Sequence, residues 1–329
     1  MPHITRRAFA ATLVAGALVA RARAQDDAFA EVRERARGLG QLHALVVAVD
    51  GEVVLAEAFR GAALDRPVNV KSVSKTLVAT LTGAAIERGA LPGVGARALA
   101  YLRAPRGMDP RAEAVTVEDL LTMRSGFQRT SGAGYGAWVE SGDWVDYVLS
   151  RPMQAAPGTR FGYSTGDYHL LAAVLTEATG ASLHEVARDW MGRPLGIEIP
   201  PWTRDPQGVY MGGNNMALSP MGMLAFAEAI RLGGAPVVSG DWIAASWRPR
   251  TRSPFSGHDY GYGWFLARMG GEDLAYARGY GGQMIYVVPG VRLSVAVTSD
   301  PGLPARSGGH AGDLHALLAE AIVPAARGQ

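Results

Sequence analysis

Cysteine is absent from the 329 residues. No disulfide framework, thiol nucleophile or cysteine metal site can therefore be built. An excess of either charge is missing too, since the formal charge is +2 and acids and bases are scattered without long runs. That excludes the electrostatic footprint of a nucleic-acid binder. No apolar run reaches the roughly 20 residues that span a bilayer. There is no H-E-x-x-H and no clustered His/Asp spacing, so no metal and no cofactor is expected, and Gly93-x-Gly95 follows no strand of the kind a nucleotide loop needs. Lysine is the scarcest charge: of 32 basic residues only Lys71 and Lys75 are lysines, and the rest are arginines.

Those two lysines flank one serine, in Val70-Lys71-Ser72-Val73-Ser74-Lys75-Thr76. If bare positive charge were wanted, this chain would use arginine. Lysine differs in that it can lose its proton when desolvated. Apolar residues at Val73, Leu77, Leu81 and Ala84 mark a helical face, and Gly89 offers a left-handed stop. On such a helix positions i and i+3 share a face, so the Lys75 amine reaches the Ser72 hydroxyl. A serine hydroxyl is a weak nucleophile until a neighbouring base activates it, and first-turn N–H groups favour negative charge developing beside it. A short S-x-x-K also arises by chance, with the serine as a helix cap and the lysine as a solvated cation.

Residues 1–24 read as an export leader. Thr5-Arg6-Arg7-Ala8-Phe9 is a twin-arginine signature, Ala8 to Ala20 is a short apolar stretch, and Ala22-Arg23-Ala24 is a small-x-small cleavage site. The mature chain is expected to start at Gln25 and to reach a bacterial periplasm or beyond, with no stable membrane anchor once the leader is cut.

Beyond the leader, Asp26 to Arg37 reads as an amphipathic helix. Leu42 to Val49 and Val53 to Phe59 read as strands joined at Asp50-Gly51, a strong hairpin signal. Helical segments follow at Val115 to Met123 with Thr116 as cap, Trp138 to Ser150, Tyr168 to Ala178 and Met221 to Arg231. Strands return at Tyr262 to Arg268, Leu274 to Arg278, Met284 to Val288 and Val291 to Ser299, before a last helix at Ala311 to Ala326. The expected fold is α/β in the α+β sense: an antiparallel sheet flanked by helices and built from both termini (25–71 and 205–329), with an inserted all-helical lobe (72–204). Ser72 then lies at the seam of the lobes, a preferred place for a cleft. Trp138, Trp144 and Tyr147 are candidates to line an acyl pocket.

A second partner for Ser72 is sought in Pro157-Gly158-Thr159-Arg160-Phe161-Gly162-Tyr163-Ser164-Thr165, where Tyr163 precedes a helix and its phenol, beside ammonium groups, can take a serine proton. Glycines in Gly279-Tyr280-Gly281-Gly282-Gln283 open a strand where backbone approaches a ligand or bulges. Gly162-Tyr163-Ser164-Thr165-Gly166 also satisfies G-x-S-x-G, but no apolar strand precedes it as that elbow requires.

The order of these motifs resembles the serine β-lactamase and penicillin-binding superfamily, in its class C β-lactamase, D-alanyl-D-alanine carboxypeptidase and family VIII esterase branch. Ser72-Val73-Ser74-Lys75 matches its nucleophile motif and Tyr163-Ser164-Thr165 stands where the branch carries Tyr-x-Asn. Leu120 to Phe127 resembles Leu-Leu-Thr-His-Thr-Ser-Gly-Leu, and Gly261-Tyr262-Gly263-Trp264 its Gly-Tyr-Gly-Trp strand. The resemblance implies an acyl-enzyme on Ser72, proton shuttling by Lys75 and Tyr163, and an oxyanion held by the N–H groups of Ser72 and Gln283. Thr165, Tyr280, Gly281 and Gly282 complete the implied substrate-binding set. Thr165 lacks the amide of the usual asparagine, with Asp167 nearby to compensate or to cap the helix. Tyr280-Gly281-Gly282 replaces Lys-Thr-Gly or His-x-Gly, removing the cation that meets a β-lactam or peptide carboxylate, for which Arg278 is a possible substitute. Such a pattern is nearer to 6-aminohexanoate-dimer hydrolases and related esterases. The resemblance thus implies a small-molecule ester or amide as substrate. A β-lactamase or carboxypeptidase, and a catalytically impaired penicillin-binding-like module, are the alternatives. The oligomeric state stays open.

Overall fold

The computed structural model describes residues 28–328, and the expected leader and its cleavage site lie outside the described residues. Among the described residues ten strands form two sheets: β1 (Leu42–Val49), β2 (Glu52–Ala58), β3 (Val68–Asn69), β4 (Ala217–Leu218), β5 (Thr251–Arg252), β6 (Asp259–Tyr260), β7 (Phe265–Met269), β8 (Glu272–Gly279), β9 (Gln283–Val288) and β10 (Leu293–Ser299). Eight of them make one sheet in the order β2-β1-β10-β9-β8-β7-β6-β5, and β3 pairs with β4 apart from it. Every pairing is antiparallel. The β1–β10 pair joins the two ends of the chain, as expected from strands at both termini.

Local chemistry accounts for the joins. Asp50 and Gly51 turn the β1–β2 hairpin with φ of 53° and 87°, the left-handed pair of a type I′ turn that matches strand twist. One face of the sheet is covered by the helix Pro220–Arg231, which packs on β1, β9 and β10 and ends before Gly233 and Gly234, at φ 95° and 90°. The helix over residues 28–38 and the terminal run His310–Arg327, with one π turn at Leu318–Ile322, are tied together by an Arg35–Glu320 ion pair. That terminal run meets the sheet at Tyr286, whose hydroxyl is 3.0 Å from His315 Nδ1.

Two helices differ from the sequence reading in more than their bounds. The helix Val73–Glu87 was expected to bury one face, but every residue from Val73 to Ala85 is buried. It lies centrally, touching β8 and β9 on one side and the helix Thr165–Thr179 on the other, so its polar positions must be satisfied internally. Thr76 donates to the Gly263 carbonyl at 2.6 Å, while Thr80 and Thr82 donate to their own preceding turn. The expected helix Trp138 to Ser150 is two short ones, Tyr135–Val139 and Trp144–Leu149. Gly142 breaks it and Asp143 caps the second piece by accepting from the Asp146 N–H. Trp138 and Trp144 then pack on each other and on His169, and Tyr147 lies under Arg151. They pack within the helical part and do not line the cleft described below.

Candidate active site

The turn before Ser72 is held from three sides. Val70 N–H donates to Met216 O, Lys71 N–H to the Asn69 side chain, and Ser74 Oγ to Lys71 O while accepting from Met216 N–H. These bonds fix Lys71 in the left-handed region at φ 52°, a conformation that a non-glycine residue keeps only when its surroundings impose it. Ser72 occupies the N-cap position of Val73–Glu87 but makes no capping bond with its hydroxyl. Its Oγ is instead 3.0 Å from Lys75 Nζ. Among the described residues the Ser72 N–H has no acceptor, so it remains free to bind an oxyanion.

Lys75 is 2% exposed and is no solvated first-turn cation. Its Nζ also reaches Thr165 Oγ1 at 3.2 Å and Gly213 O at 2.6 Å, which accounts for all three ammonium donors. Burial pulls its pKa down to about 7, with Asp167 opposing that fall. The Gly213 carbonyl is available because Gly212 and Gly213 lie flat on the helix Thr165–Thr179. A Cβ at Gly212 would stand 2.0 Å from Tyr168 O, and one at Gly213 would stand 2.8 Å from Thr165 O.

Asp167 lies in the first turn of Thr165–Thr179, which starts three residues earlier than the sequence reading had it. It caps nothing: the carboxylate is buried and neither oxygen has a partner in hydrogen-bonding geometry. Burial pushes its pKa up to about 7, opposed by the nearby Ser125 and Ser164 hydroxyls. Tyr163 is half-buried, and its ring centroid is 4.9 Å from Lys75 Nζ. Burial raises its phenol above the ordinary value, against the nearby Ser72 hydroxyl and the charge of Arg278. A phenol so shifted keeps its proton at neutral pH, contrary to the expected ready base.

The residues of the implied oxyanion set divide. Thr165 and Tyr280 line a cleft of about 780 Å³ together with Ser72 and Tyr163, whereas Gly281, Gly282 and Gln283 do not. Gln283 is 1% exposed, and its side chain donates to Ser299 O at 2.8 Å and accepts from Ser299 N–H, which stitches β9 to β10. Gly281 and Gly282 are turned toward Asp300 and His310. At the cleft wall stand Arg278, Gly279 and Tyr280, at the end of β8, so the strand that meets Ser72 does so about three residues earlier than the alignment of motifs implied. Gly279 is required there, because its Cβ would stand 2.4 Å from Val70 O. Among the described residues the Tyr280 N–H has no acceptor, which makes it the available second donor.

Sequence reasoning missed Ser131, Gly213 and Asn214. Ser131 Oγ lies 2.9 Å from Thr165 Oγ1 and accepts from the Thr165 N–H at 2.9 Å. Asn214 donates to the Tyr135 hydroxyl at 3.1 Å, and its buried Oδ1 has no partner beside the cleft. The run Gly212-Gly213-Asn214-Asn215 was the one sequence signal for a close backbone approach at this point. Ser164, the serine of the fortuitous G-x-S-x-G, is 2% exposed, follows no strand and lies 3.3 Å from Thr130 Oγ1. Among the described residues no helix is long and apolar enough to cross a membrane.

Comparison with known proteins gives a consistent result. A family model described as Beta-lactamase matches residues 26–320. Over 144 residues the chain is 29% identical to the probable fimbrial assembly protein FimD, serogroup H1, of Dichelobacter nodosus, covering 41% of this chain and 36% of that protein. The match therefore spans little more than a third of that relative's length. Among solved structures, a putative 6-aminohexanoate-dimer hydrolase from Bacillus anthracis superposes with a TM-score of 0.73 at 16% identity, covering 88% of this chain and 79% of that one. EstCE1, a hydrolase with promiscuous acyltransferase activity, gives 0.74 at 18%, covering 92% and 99%. The octameric penicillin-binding protein homologue from Pyrococcus abyssi gives 0.68 at 21%, covering 91% and 75%. At such identities these likenesses are of fold.

Proposed function

Because the chain belongs to the Beta-lactamase family, we propose that it is an exported serine hydrolase that cleaves an ester or small amide through an acyl-enzyme on Ser72. The observation that carries this reading is the buried Lys75 amine 3.0 Å from a Ser72 hydroxyl that caps nothing. At about 7, the Lys75 pKa leaves a large fraction of neutral amine near neutral pH, and a base poised near the working pH transfers protons most effectively.

In the proposed sequence Ser72 Oγ attacks the carbonyl carbon as its proton passes to Lys75. The N–H groups of Ser72 and Tyr280 hold the oxyanion. The bond to the leaving group then breaks, and that group takes a proton relayed from Lys75 through the Tyr163 phenol. Water enters, its proton is taken along the same path, and the carboxylic acid leaves with Ser72 restored. Asn214 is the one side-chain amide among the residues lining the cleft. In this proposal it stands in toward the substrate for the amide missing at Thr165.

A module that acylates without turnover is the second reading, favoured by Thr165, whose hydroxyl gives the lysine a single contact where an amide would orient both lysine and substrate. Hydrolysis of p-nitrophenyl butyrate separates the two. Continuous release of nitrophenol, lost in Ser72→Ala, supports the hydrolase; release that stops at one equivalent per chain supports the module and overturns the hydrolase.

A further inference from the structure

A second chamber adjoins the Ser72 cleft on the helical side. It holds about 350 Å³, within the size range of small-molecule pockets, and shares Arg129, Tyr163 and Phe255 with the cleft. Its lining is largely apolar: Met123 is 1% and Phe127 6% exposed, and Phe161 is half-buried. Pro254 and Phe255 add an apolar wall from the segment that joins β5 to β6. The longest polar side chains of the lining, on Arg129, Gln154 and Arg160, belong to exposed residues, so their heads stay in water while their stems cover apolar surface.

The chamber is a built feature of two loops, 123–128 and 152–162, stitched together by their backbones. Gly162 N–H donates to Met123 O at 2.8 Å, Gly158 N–H to Arg124 O at 2.8 Å, Gln154 N–H to Gly126 O at 2.7 Å and Gln128 N–H to Pro152 O at 2.9 Å. These bonds hold Met123 in the left-handed region at φ 52°, where a residue of its size stays only when its surroundings impose it. Gly126, at φ 87°, lets the loops meet, because its Cβ would stand 2.4 Å from Ala155 O. Gly162 is the reverse case. A Cβ there would find nothing within 4 Å, so the chamber is open right beside Tyr163.

We infer that this chamber receives the leaving group of the substrate, and that the leaving group is an apolar alcohol or amine with an extended chain or a ring. The inference rests on the hydrolase reading above and adds the class of substrate. In that reading the bond from the carbonyl carbon to the leaving oxygen or nitrogen breaks, and that atom takes the proton relayed through the Tyr163 phenol. The departing atom therefore lies against Tyr163, and whatever it carries extends along Tyr163 into the apolar space there. The acyl part, bonded to Ser72 Oγ, keeps to the larger cleft. Transfer of apolar surface out of water supplies the attraction, about fourfold for each methylene buried. The competing account is that the chamber is a solvent-filled gap that no substrate enters, in which case the size of the leaving group is immaterial.

The test is a thioester series on the full mature protein. Because the chain has no cysteine, released thiol is read directly with a thiol-reactive dye. Simple alkanethiols leave with similar ease, so leaving-group size varies without a change in reactivity. S-ethyl thiobutyrate is the reference. S-pentyl thiobutyrate adds three methylenes on the leaving side, and its isomer S-ethyl thioheptanoate adds the same three on the acyl side. The expected result is a kcat/KM for S-pentyl thiobutyrate at least about tenfold above the reference, against a ceiling of about 60-fold for three fully buried methylenes. Gly162→Leu, whose side chain projects into the chamber, should abolish that advantage, and the smaller Gly162→Val should reduce it. Both should leave the rate of S-ethyl thiobutyrate, and its ratio to S-ethyl thioheptanoate, as they are. The thioester series is read first on the unmodified protein, so a variant that folds poorly leaves the test intact. An advantage below about tenfold, or no turnover of the thiobutyrates while p-nitrophenyl butyrate is hydrolysed, overturns the subsite and leaves the hydrolase. A pentyl advantage that survives in both folded variants overturns the chamber as its location. An advantage for S-ethyl thioheptanoate alone, lost in Gly162→Leu, gives the chamber to the acyl group and overturns its assignment to the leaving group. No turnover of any ester or thioester overturns both readings.

Discussion

At the scale of the residue, the site depends on one amine kept short of water. Lys75 in Ser72–Lys75 has three acceptors and no acid in direct contact, so desolvation sets its pKa and Asp167 only tempers it. Lys75→Ala removes the proposed base and is expected to cost about 10²- to 10⁴-fold in kcat/KM. Lys75→Arg is expected to cost as much, because arginine does not deprotonate in proteins. The pH profile has a worked sign: Lys75 is protonated and inactive below its pKa, so kcat/KM should rise through an acidic limb near pH 7. A negative Asp167 raises that pKa, hence Asp167→Asn should move the limb to lower pH, as read from kcat/KM between pH 5 and 9. A limb that stays in place would show that Asp167 does not govern the amine. Ser72 and Lys75 were legible in the sequence because lysine is so scarce here that two of them around one serine stand out. Asp167 was visible only as an acid near the motif. Its burial without partners depends on the packing of Ser125 and Ser164 around it, which no spacing encodes.

At the scale of the element, the backbone loop 211–215 does as much as any side chain. Gly213 O is the shortest of the Lys75 contacts, and it is in reach only because Gly212 rests against the helix Thr165–Thr179. Gly212→Ala would drive a methyl group to 2.0 Å from Tyr168 O. The loop must then lift, and the expected result is a loss of a few kcal/mol of stability in denaturant titration. Activity should fall further than that instability explains, because the lysine also loses its carbonyl. The cap on Val117–Leu121 gives a milder test: Thr116 and Asp119 bond reciprocally as a capping box, and Thr116→Ala should cost about 1 kcal/mol with little effect on rate. Elements with strong local punctuation were readable in the sequence, such as the Asp50-Gly51 hairpin and the helix capped by Thr116. The reading failed where a polar break interrupts an apolar pattern, at Gly142-Asp143. It also slipped where several glycines in a row offered more than one register, at Gly279 to Gly282, so that the donor opposite Ser72 was assigned to Gln283 when Tyr280 lies in the cleft.

At the scale of the molecule, a sheet closed by the pairing of β1 with β10 carries the helix Val73–Glu87 along its seam with the helical part. Thr76 to Gly263 O is one tie between the two parts. Glu118, bonded to both Arg250 at 2.6 Å and the Tyr262 hydroxyl at 2.8 Å, is another. The family assignment and the fold were legible because they rest on many residues in order, and no single departure such as Thr165 can erase them. Export is a proposal of the same scale, and replacing Arg6 and Arg7 by lysines should retain the unprocessed chain in the cytoplasm, whereas processing that continues would count against a twin-arginine route. The account as a whole stands on Ser72 being the nucleophile. Its most direct test is intact-mass analysis of the mature protein after reaction with a fluorophosphonate, followed by peptide mapping, with Ser72→Ala and Ser164→Ala treated alongside. The account predicts one adduct on Ser72, absent from Ser72→Ala and present in Ser164→Ala; an adduct on Ser164, or none on any chain, would contradict it.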